Sequence, residues 1–251
     1  MGVRMLRTPR DGQNMKKLIF CLFLLSCESG ETRQLSRFII NGTLVDPNWS
    51  GHVCWGGCSG TLLTNSWILS AKHCFDDQDP NFPDPWRLVS MGSQTAAMQK
   101  IYTHPTLDIA VAKLTEPMQM HDFTGYRIKL YDGTPESIIH KSLNCFGYGD
   151  QSFTGFQDGL LRTSILTVDS LFPLSDAYIV FGIIASYAIR ANTDNQSIYF
   201  GDSGGSSFYN VPNGSSELVG VHVATTMDGT LGFDAASWGF STWVKTVMDN
   251  N

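Results

Sequence analysis

Three segments of this chain contain residue types that together could carry out acyl transfer at a peptide bond. Ser203 lies in the run Gly201-Asp202-Ser203-Gly204-Gly205, whose glycines permit backbone conformations that a side chain would forbid. A serine hydroxyl attacks well only when a neighbouring base takes its proton. His73 ends an apolar run that starts at Trp67, and Asp108 precedes a second apolar run, so both are candidate partners. Each segment alone could be an ordinary turn or a packed strand, but all three in the order His, Asp, Ser indicate catalysis.

The same segments resemble the motifs of the trypsin-like serine proteases. Ala71-Lys72-His73-Cys74 is similar to the family's Ala-Ala-His-Cys, Asp108-Ile109-Ala110-Val111 to its Asp-Ile-Ala-Leu, and Gly201 to Gly205 to its nucleophile loop. The resemblance implies that Ser203 is the nucleophile, that His73 is the base and that Asp108 orients His73. It also implies an oxyanion hole formed by the backbone N–H groups of Gly201 and Ser203. An α/β-hydrolase esterase would need the serine before the aspartate and the histidine.

Composition and patterning favour an all-β fold. The chain has 24 glycines and 12% aromatic residues, and turn signals such as Asn65-Ser66 and Asp228-Gly229 separate short apolar stretches. Clear helical spacing occurs mainly near the end, at Phe240, Trp243, Val244, Val247 and Met248. The resemblance implies two packed six-stranded antiparallel β-barrels, chymotrypsin-like, closed by this C-terminal helix. The protease domain is expected to span residues 39–251.

The N-terminal residues predict export. Lys16 and Lys17 precede an apolar stretch, residues 18–25, that is too short to span a bilayer, so residues 1–26 are interpreted as a signal peptide. Leu24-Leu25-Ser26-Cys27 resembles a bacterial lipobox, in which Cys27 would be lipidated and would anchor the protein to a membrane. An ordinary signal peptide with a chance cysteine is the alternative. The expected location is therefore outside the cytoplasm, secreted or lipid-anchored at the bacterial cell envelope.

Residues 27–38 are interpreted as a propeptide or linker of a zymogen. Ile39-Ile40-Asn41-Gly42 resembles the mature start of the family, Ile-Val-Gly-Gly. In the family, cleavage before the first Ile frees an ammonium group that pairs with the aspartate before the nucleophile, which here is Asp202. Phe38 stands where a trypsin-activated zymogen has Arg or Lys, so the expected cut needs a chymotrypsin-like activity. The alternative is an uncleaved chain in which Asp202 has other partners.

The residues expected to line the specificity pocket leave three possibilities open. The resemblance places Ser197 at the pocket floor, and this neutral residue favours large apolar or aromatic side chains over Arg or Lys. Thr225 stands where a glycine usually keeps the mouth open, which favours small side chains, and Gly232 aligns with the second pocket glycine. His222 falls where glutamyl endopeptidases of this fold carry a histidine that reads acidic side chains. Such a histidine is also an ordinary packed strand residue.

The cysteines predict disulfide bonds, and the net charge argues against binding to nucleic acid. The resemblance implies a disulfide between Cys58 and Cys74, with Cys58-Ser59-Gly60 in place of the family's Cys-Gly-Gly, and Cys54 and Cys145 could pair with each other. Removing residues 1–26 takes away five basic residues and one acidic residue, so the net charge falls from −6 to −10. A domain this acidic should not bind nucleic acid non-specifically.

The histidines lack the spacing of a zinc site, so no metal and no cofactor is expected. The expected protein is a monomer that cleaves a polypeptide substrate. The competing class is a catalytically inactive, lipid-anchored homologue that acts as a binding protein.

Overall fold

The computed structural model describes residues 39–75, 88–120, 128–150, 157–172, 178–180, 183–212 and 215–251. The predicted signal peptide, the lipidation site Cys27, the segment 27–38 and the cleavage position after Phe38 lie outside these residues. The strands, β1 to β15, are Thr43–Leu44, His52–Trp55, Cys58–Thr64, Trp67–Ser70, Leu88–Met91, Gln94–Thr103, Ala110–Leu114, Ser142–Gly147, Arg162–Leu171, Tyr178–Val180, Ile183–Ala185, Tyr187–Arg190, Ser206–Asn210, Ser216–Thr225 and Leu231–Ala236. The helices are Pro47–Ser50 and Ser237–Asp249, and Lys72–Phe75 and Pro135–Ile138 form 3₁₀ turns.

Six strands of the first half close into a barrel in the order β2-β3-β4-β7-β6-β5. All its pairings are antiparallel, and the turn signal Asn65-Ser66 lies between β3 and β4. Side chains alternate across each strand, so one set fills the interior. The interior is apolar and includes Val53, Trp55, Leu62, Ile68, Val89, Met91 and Leu114. The barrel fixes the two strands, β4 and β7, that lead to His73 and Asp108.

The second half closes in the same way. Strands β9, β12, β15, β14, β13 and β8 follow one another in the sheet, and β8 also pairs with β9. The short strand β1 adds to the outside of β9 through Thr43 and Leu44, while β10 and β11 form a separate two-stranded sheet. The expected pair of six-stranded antiparallel barrels is therefore confirmed.

The C-terminal helix closes the interface between the barrels. It starts at Ser237, whose hydroxyl donates to the Tyr131 carbonyl at 2.8 Å. Phe240 and Val244 are fully buried in a core that both barrels share, so the predicted amphipathic helix is confirmed. In the part of the chain that the structure describes, no helix combines the length and the apolar character required to cross a membrane.

Candidate active site

His73 and Asp108 lie side by side because the strands before and after them are paired. β4 ends at Ser70, opposite Ala110 at the start of β7, so the chain after β4 meets the chain before β7. His73 Nδ1 lies 2.5 Å from Asp108 Oδ2, and the backbone N–H of His73 donates to Asp108 Oδ1 at 2.8 Å. Asp108 is 8% exposed, whereas His73 is 31% exposed. The arrangement orients one ring nitrogen inward and leaves the other available to the cleft.

A disulfide between Cys58 and Cys74 joins the start of β3 to the turn that carries His73, as the resemblance implied. The other suggested pair does not form. Cys145 is a free, buried thiol, so it is not bonded to Cys54. The side chains of Cys58, His73 and Cys74 lie close together, and their sulfur and nitrogen atoms are of types that bind metal ions. Both sulfurs are consumed by the disulfide, so this group does not fit a metal.

The nucleophile loop is attached to both barrels. The N–H of Ser59, in the first barrel, donates to the Ser203 carbonyl at 2.8 Å. On the other side, Gly204 N–H donates to the His222 carbonyl, and His222 N–H donates to the Gly205 carbonyl, each at 2.8 Å. The loop therefore stands beside the His73 turn, although the described contacts include no hydrogen bond from Ser203 Oγ to the His73 ring. Such bonds are often long in the absence of substrate.

Gly204 allows this close approach. Its φ is +83°, in the left-handed region, and a Cβ there would stand 2.0 Å from Ser70 Oγ and 2.1 Å from the Ser59 carbonyl oxygen. Gly201 has φ +87°, and a Cβ would stand 1.9 Å from Gln157 Nε2. At both positions the backbone has a positive φ and there is no space for a Cβ, and glycine satisfies both requirements.

Two N–H groups beside Ser203 are available as oxyanion donors. The Asp150 N–H donates to the Phe200 carbonyl at 2.6 Å. The peptide bond is trans and planar, so the Gly201 N–H of the same unit points the opposite way. Within the described contacts, neither the Gly201 nor the Ser203 N–H donates to a protein acceptor, whereas the Asp202 N–H between them donates to Tyr199. Preorganised donors of this kind stabilise the negative oxygen of an acyl-transfer intermediate.

Asp202 is a buried carboxylate held by two backbone groups. It is 1% exposed, and its oxygens accept the N–H groups of Gly149 and Tyr199, each at 2.8 Å. Burial raises the pKa of Asp202 to about 6, against the lowering effect of these bonds and of His222. Ile39 is fully buried with a φ of +34°, and Ile40 bridges to Ser197 in the segment that leads to Asp202. The contacts of the described residues include no ion pair between Ile39 and Asp202.

The expected pocket residues come together, but the space is occupied. Ser197 is buried and its hydroxyl has no partner in the described part of the chain. Thr225 Oγ1 lies 3.1 Å from the Ile198 carbonyl and 3.2 Å from the Leu231 carbonyl. At Gly232, a Cβ would stand 2.1 Å from Cγ1 of Ile198, so this side chain fills the room that the glycine leaves.

His222 belongs to a polar cluster inside the second barrel. Its Nδ1 lies 2.7 Å from Asp234 Oδ1, and Asp234 Oδ2 accepts the hydroxyls of Tyr187 and Ser207. Burial lowers the pKa of His222, but the charge and hydrogen bond of Asp234 outweigh this, so the pKa is raised. Nε2 of His222 is buried and has no hydrogen-bond partner among the described residues.

Sequence reasoning missed several contributors to this site. Ser59, Asp150, Ile198 and Asp234 contact the loop or pocket, and of these only Ser59 stands in a segment that the resemblance covers. A signal existed for Ser59, since it replaces a glycine of the family's Cys-Gly-Gly.

The fold and the site define the class of the chymotrypsin-like serine proteases, with two barrels and a His-Asp pair beside a glycine-bounded serine. The family model described as Trypsin matches residues 41–244, so the chain belongs to the trypsin family.

Individual relatives are similar at low identity. Chymotrypsin-like elastase family member 1 of cow is 25% identical over an alignment 276 residues long, which covers 94% of this chain and 100% of the relative. The dog protein of the same name is 24% identical, covering 80% of this chain and 85% of the relative. Transmembrane protease serine 11E of mouse is 27% identical over 52% of this chain, but the match spans only 34% of that protein.

Proposed function

We propose that this protein is a serine endopeptidase that uses His73, Asp108 and Ser203. The observation that carries the proposal is the His73–Asp108 contact at 2.5 Å beside a loop that leaves the Gly201 and Ser203 N–H groups unoccupied. A binding module has little need for all of these features together. Membership of the trypsin family agrees with the proposal.

In the proposed reaction, Ser203 Oγ attacks the substrate carbonyl and its proton passes to His73 Nε2. Asp108 keeps the other nitrogen protonated and stabilises the imidazolium that forms. The Gly201 and Ser203 N–H groups bind the oxyanion. The leaving amine then takes the proton from His73, and a water molecule hydrolyses the acyl-enzyme by the same route in reverse.

The test compares the wild type with Ser203→Ala. The wild type should hydrolyse peptide substrates and be labelled by a serine-reactive organophosphonate, whereas Ser203→Ala should fold and do neither. A folded wild type that shows no labelling and no turnover would support the inactive binding homologue instead. Comparable turnover by Ser203→Ala would disprove the assignment of the nucleophile.

For specificity, we propose that the pocket takes small apolar side chains on the acyl side of the cut bond. Ile198 fills the room beside Gly232, and Thr225 stands at the mouth, which supports this choice. The elastase relatives agree with it. The Ile198→Ala variant should raise kcat/KM for Phe relative to Ala substrates by about tenfold or more, because pocket methylenes discriminate on that scale. Ile198→Val, which removes one methyl, should change the ratio much less.

Cleavage after acidic residues is a second candidate, supported by the buried, unpartnered His222 Nε2 and by the raised pKa of this histidine. Paired substrates that differ only as Glu and Gln separate the two candidates. Faster cleavage after Glu than after Gln, with this difference abolished in His222→Val, would favour cleavage after acidic residues. Faster cleavage after Ala than after either Glu or Gln would favour a pocket for small apolar side chains.

We also propose that the chain is a zymogen activated by a cut before Ile39. The buried position of Ile39 beside the Ser197 segment, and a buried Asp202 without an ion-pair partner among the described residues, support it. A new ammonium at Ile39 could compensate the Asp202 charge. Intact-mass and N-terminal analysis before and after incubation should give a chain starting at Ile39. A fully active chain that retains residue 38 would refute the mechanism.

Export to an oxidising compartment is proposed because the Cys58–Cys74 disulfide needs one. Anchoring through Cys27 at a bacterial envelope, rather than secretion, is the accompanying hypothesis. Radiolabelled palmitate incorporation that disappears in Cys27→Ser would support the anchor, and unlabelled, freely released protein would exclude it.

A further inference from the structure

Ser59 makes two hydrogen bonds to the nucleophile loop although it lies on the other barrel. It lies in β3 and is 1% exposed. Its N–H donates to the Ser203 carbonyl at 2.8 Å, and its hydroxyl donates to the Gly201 carbonyl at 2.9 Å. The same hydroxyl oxygen accepts the N–H of Tyr148 at 2.9 Å. Ser59 therefore links the first barrel to both ends of the segment that carries the two candidate oxyanion donors.

The hydroxyl is a feature of this chain. In the trypsin-like proteases that the sequence resembles, a glycine occupies the position between the cysteine and the next glycine. A glycine could supply the backbone bond to Ser203 but has no group to reach Gly201 or Tyr148. The side-chain bonds thus form a second attachment that the family pattern does not contain.

This attachment matters because Gly201 carries one of the two candidate donors and is itself conformationally adaptable. Without a Cβ, its φ and ψ are weakly restricted, so the orientation of its peptide units must be fixed from outside. Asp150 N–H fixes the preceding unit through the Phe200 carbonyl at 2.6 Å. Ser59 Oγ fixes the following unit through the Gly201 carbonyl. Rotation of the first unit would turn the Gly201 N–H away from the cleft. Rotation of the second unit would break the bond from the Asp202 N–H to the Tyr199 carbonyl at 3.1 Å and would displace the segment that carries both donors.

We propose that Ser59 is a positioning residue for the oxyanion hole, acting through the Gly201 carbonyl and not by contact with substrate. The inference rests on the proposed serine endopeptidase function. Its distinctive consequence is a loss of transition-state stabilisation with unchanged substrate binding, because the oxyanion forms only during the reaction.

The experiment compares Ser59→Ala with the matched control Thr61→Val. Thr61 lies on the same strand, and its hydroxyl makes a buried inter-barrel bond to Ser206 Oγ at 2.6 Å that does not involve the nucleophile loop. Ser59→Ala should lower kcat by about tenfold with KM unchanged, less than the 10²–10³ that removal of a donor itself costs. Affinity for a peptide boronic acid, which forms a tetrahedral adduct on Ser203, should fall by a similar factor. Thr61→Val should lower thermal stability comparably and leave kcat and boronate affinity near wild type.

Hydrogen exchange gives a readout that does not depend on activity. The Tyr148 amide, whose acceptor is Ser59 Oγ, and the amides of residues 199–205 should exchange faster in Ser59→Ala than in Thr61→Val. If Ser59→Ala does not fold, Ser59→Gly, with the residue of the related proteases, takes its place and should show the same losses.

The inference is overturned if the Ser59 variant matches Thr61→Val in kcat, boronate affinity and amide exchange. Failure of the proposed function looks different. A wild type without turnover or phosphonate labelling refutes the endopeptidase assignment, and the exchange comparison still decides whether Ser59 holds the loop.

Discussion

Asp108 holds His73 at two points, with Oδ2 2.5 Å from the ring Nδ1 and Oδ1 2.8 Å from the backbone nitrogen. The second bond fixes the position of the residue, and the first fixes the orientation of its ring. Together they leave only one ring nitrogen to exchange protons with a serine. This geometry is what the proposed endopeptidase function requires of a base, and it differs from that of a histidine packed into a core, because His73 is 31% exposed.

Replacing Asp108 by Asn should separate these two roles. The amide oxygen can still accept the His73 backbone N–H, so the fold should persist. The ring would lose its anionic partner and its preferred tautomer, and kcat should fall on the order of 10³–10⁴. Ester hydrolysis and thermal unfolding measure the two effects. Turnover within tenfold of wild type would mean that Asp108 does not serve a catalytic histidine.

The local motifs of the sequence predicted the elements that position the site, but not the contacts made between them. His73, Asp108 and Gly204 stand in short segments with recognisable neighbours, and the helix at residues 237–249 followed from its spacing. Ser59 and Gly201 are separated by 142 positions. Their bond depends on how two barrels pack, which no local pattern encodes. The Cys145 thiol was equally unpredictable, because pairing requires a partner within bonding distance.

Gly204→Ala should be far more harmful than the same change at Gly229. Both glycines have positive φ, +83° and +66°, so alanine costs roughly 1–2 kcal/mol at either position. At Gly204 the new methyl would also overlap Ser70 Oγ. Gly229 lies in the turn between β14 and β15, flanked by the exposed residues Asp228 and Thr230. Urea unfolding should show at least about 2 kcal/mol more loss at Gly204 than at Gly229, typical of an overpacked core. Activity should be lost only at Gly204, and equal effects at the two positions would contradict the close approach.

Removing the Cys58–Cys74 disulfide should destabilise the domain. The bond closes a loop with a sequence separation of 16, for which the chain-entropy model gives about 3 kcal/mol. The double variant Cys58→Ala/Cys74→Ala tests this by urea unfolding at constant pH. The control is Cys145→Ala, which removes a buried thiol without breaking a disulfide. A loss in the double variant no greater than in the control would show that the loop gains little from the link.

His52 should make the protein less stable as the pH falls. Its ring stacks on Phe146 with centroids 4.4 Å apart, and neither nitrogen has a hydrogen-bond partner among the described residues. Burial, assisted by the nearby His222, lowers the pKa of His52 from 6.5 to about 3. Above pH 6.5 the ring is neutral in both the folded and the unfolded chain, so the unfolding free energy loses nothing to its titration. Below that value the unfolded chain binds a proton that the folded one refuses, until the pH reaches about 3.

Two variants separate titration from the burial of polar atoms. His52→Phe should stabilise the protein at pH 7 by about 1–2 kcal/mol, because two buried nitrogens no longer lose water without compensation. It should also reduce the slope of unfolding free energy against pH by up to one proton. His52→Gln should reduce the slope without the gain at pH 7. Urea unfolding from pH 7 to pH 4 measures both quantities. A His52→Phe variant with the wild-type slope would mean that the ring has the same pKa in the folded and the unfolded chain.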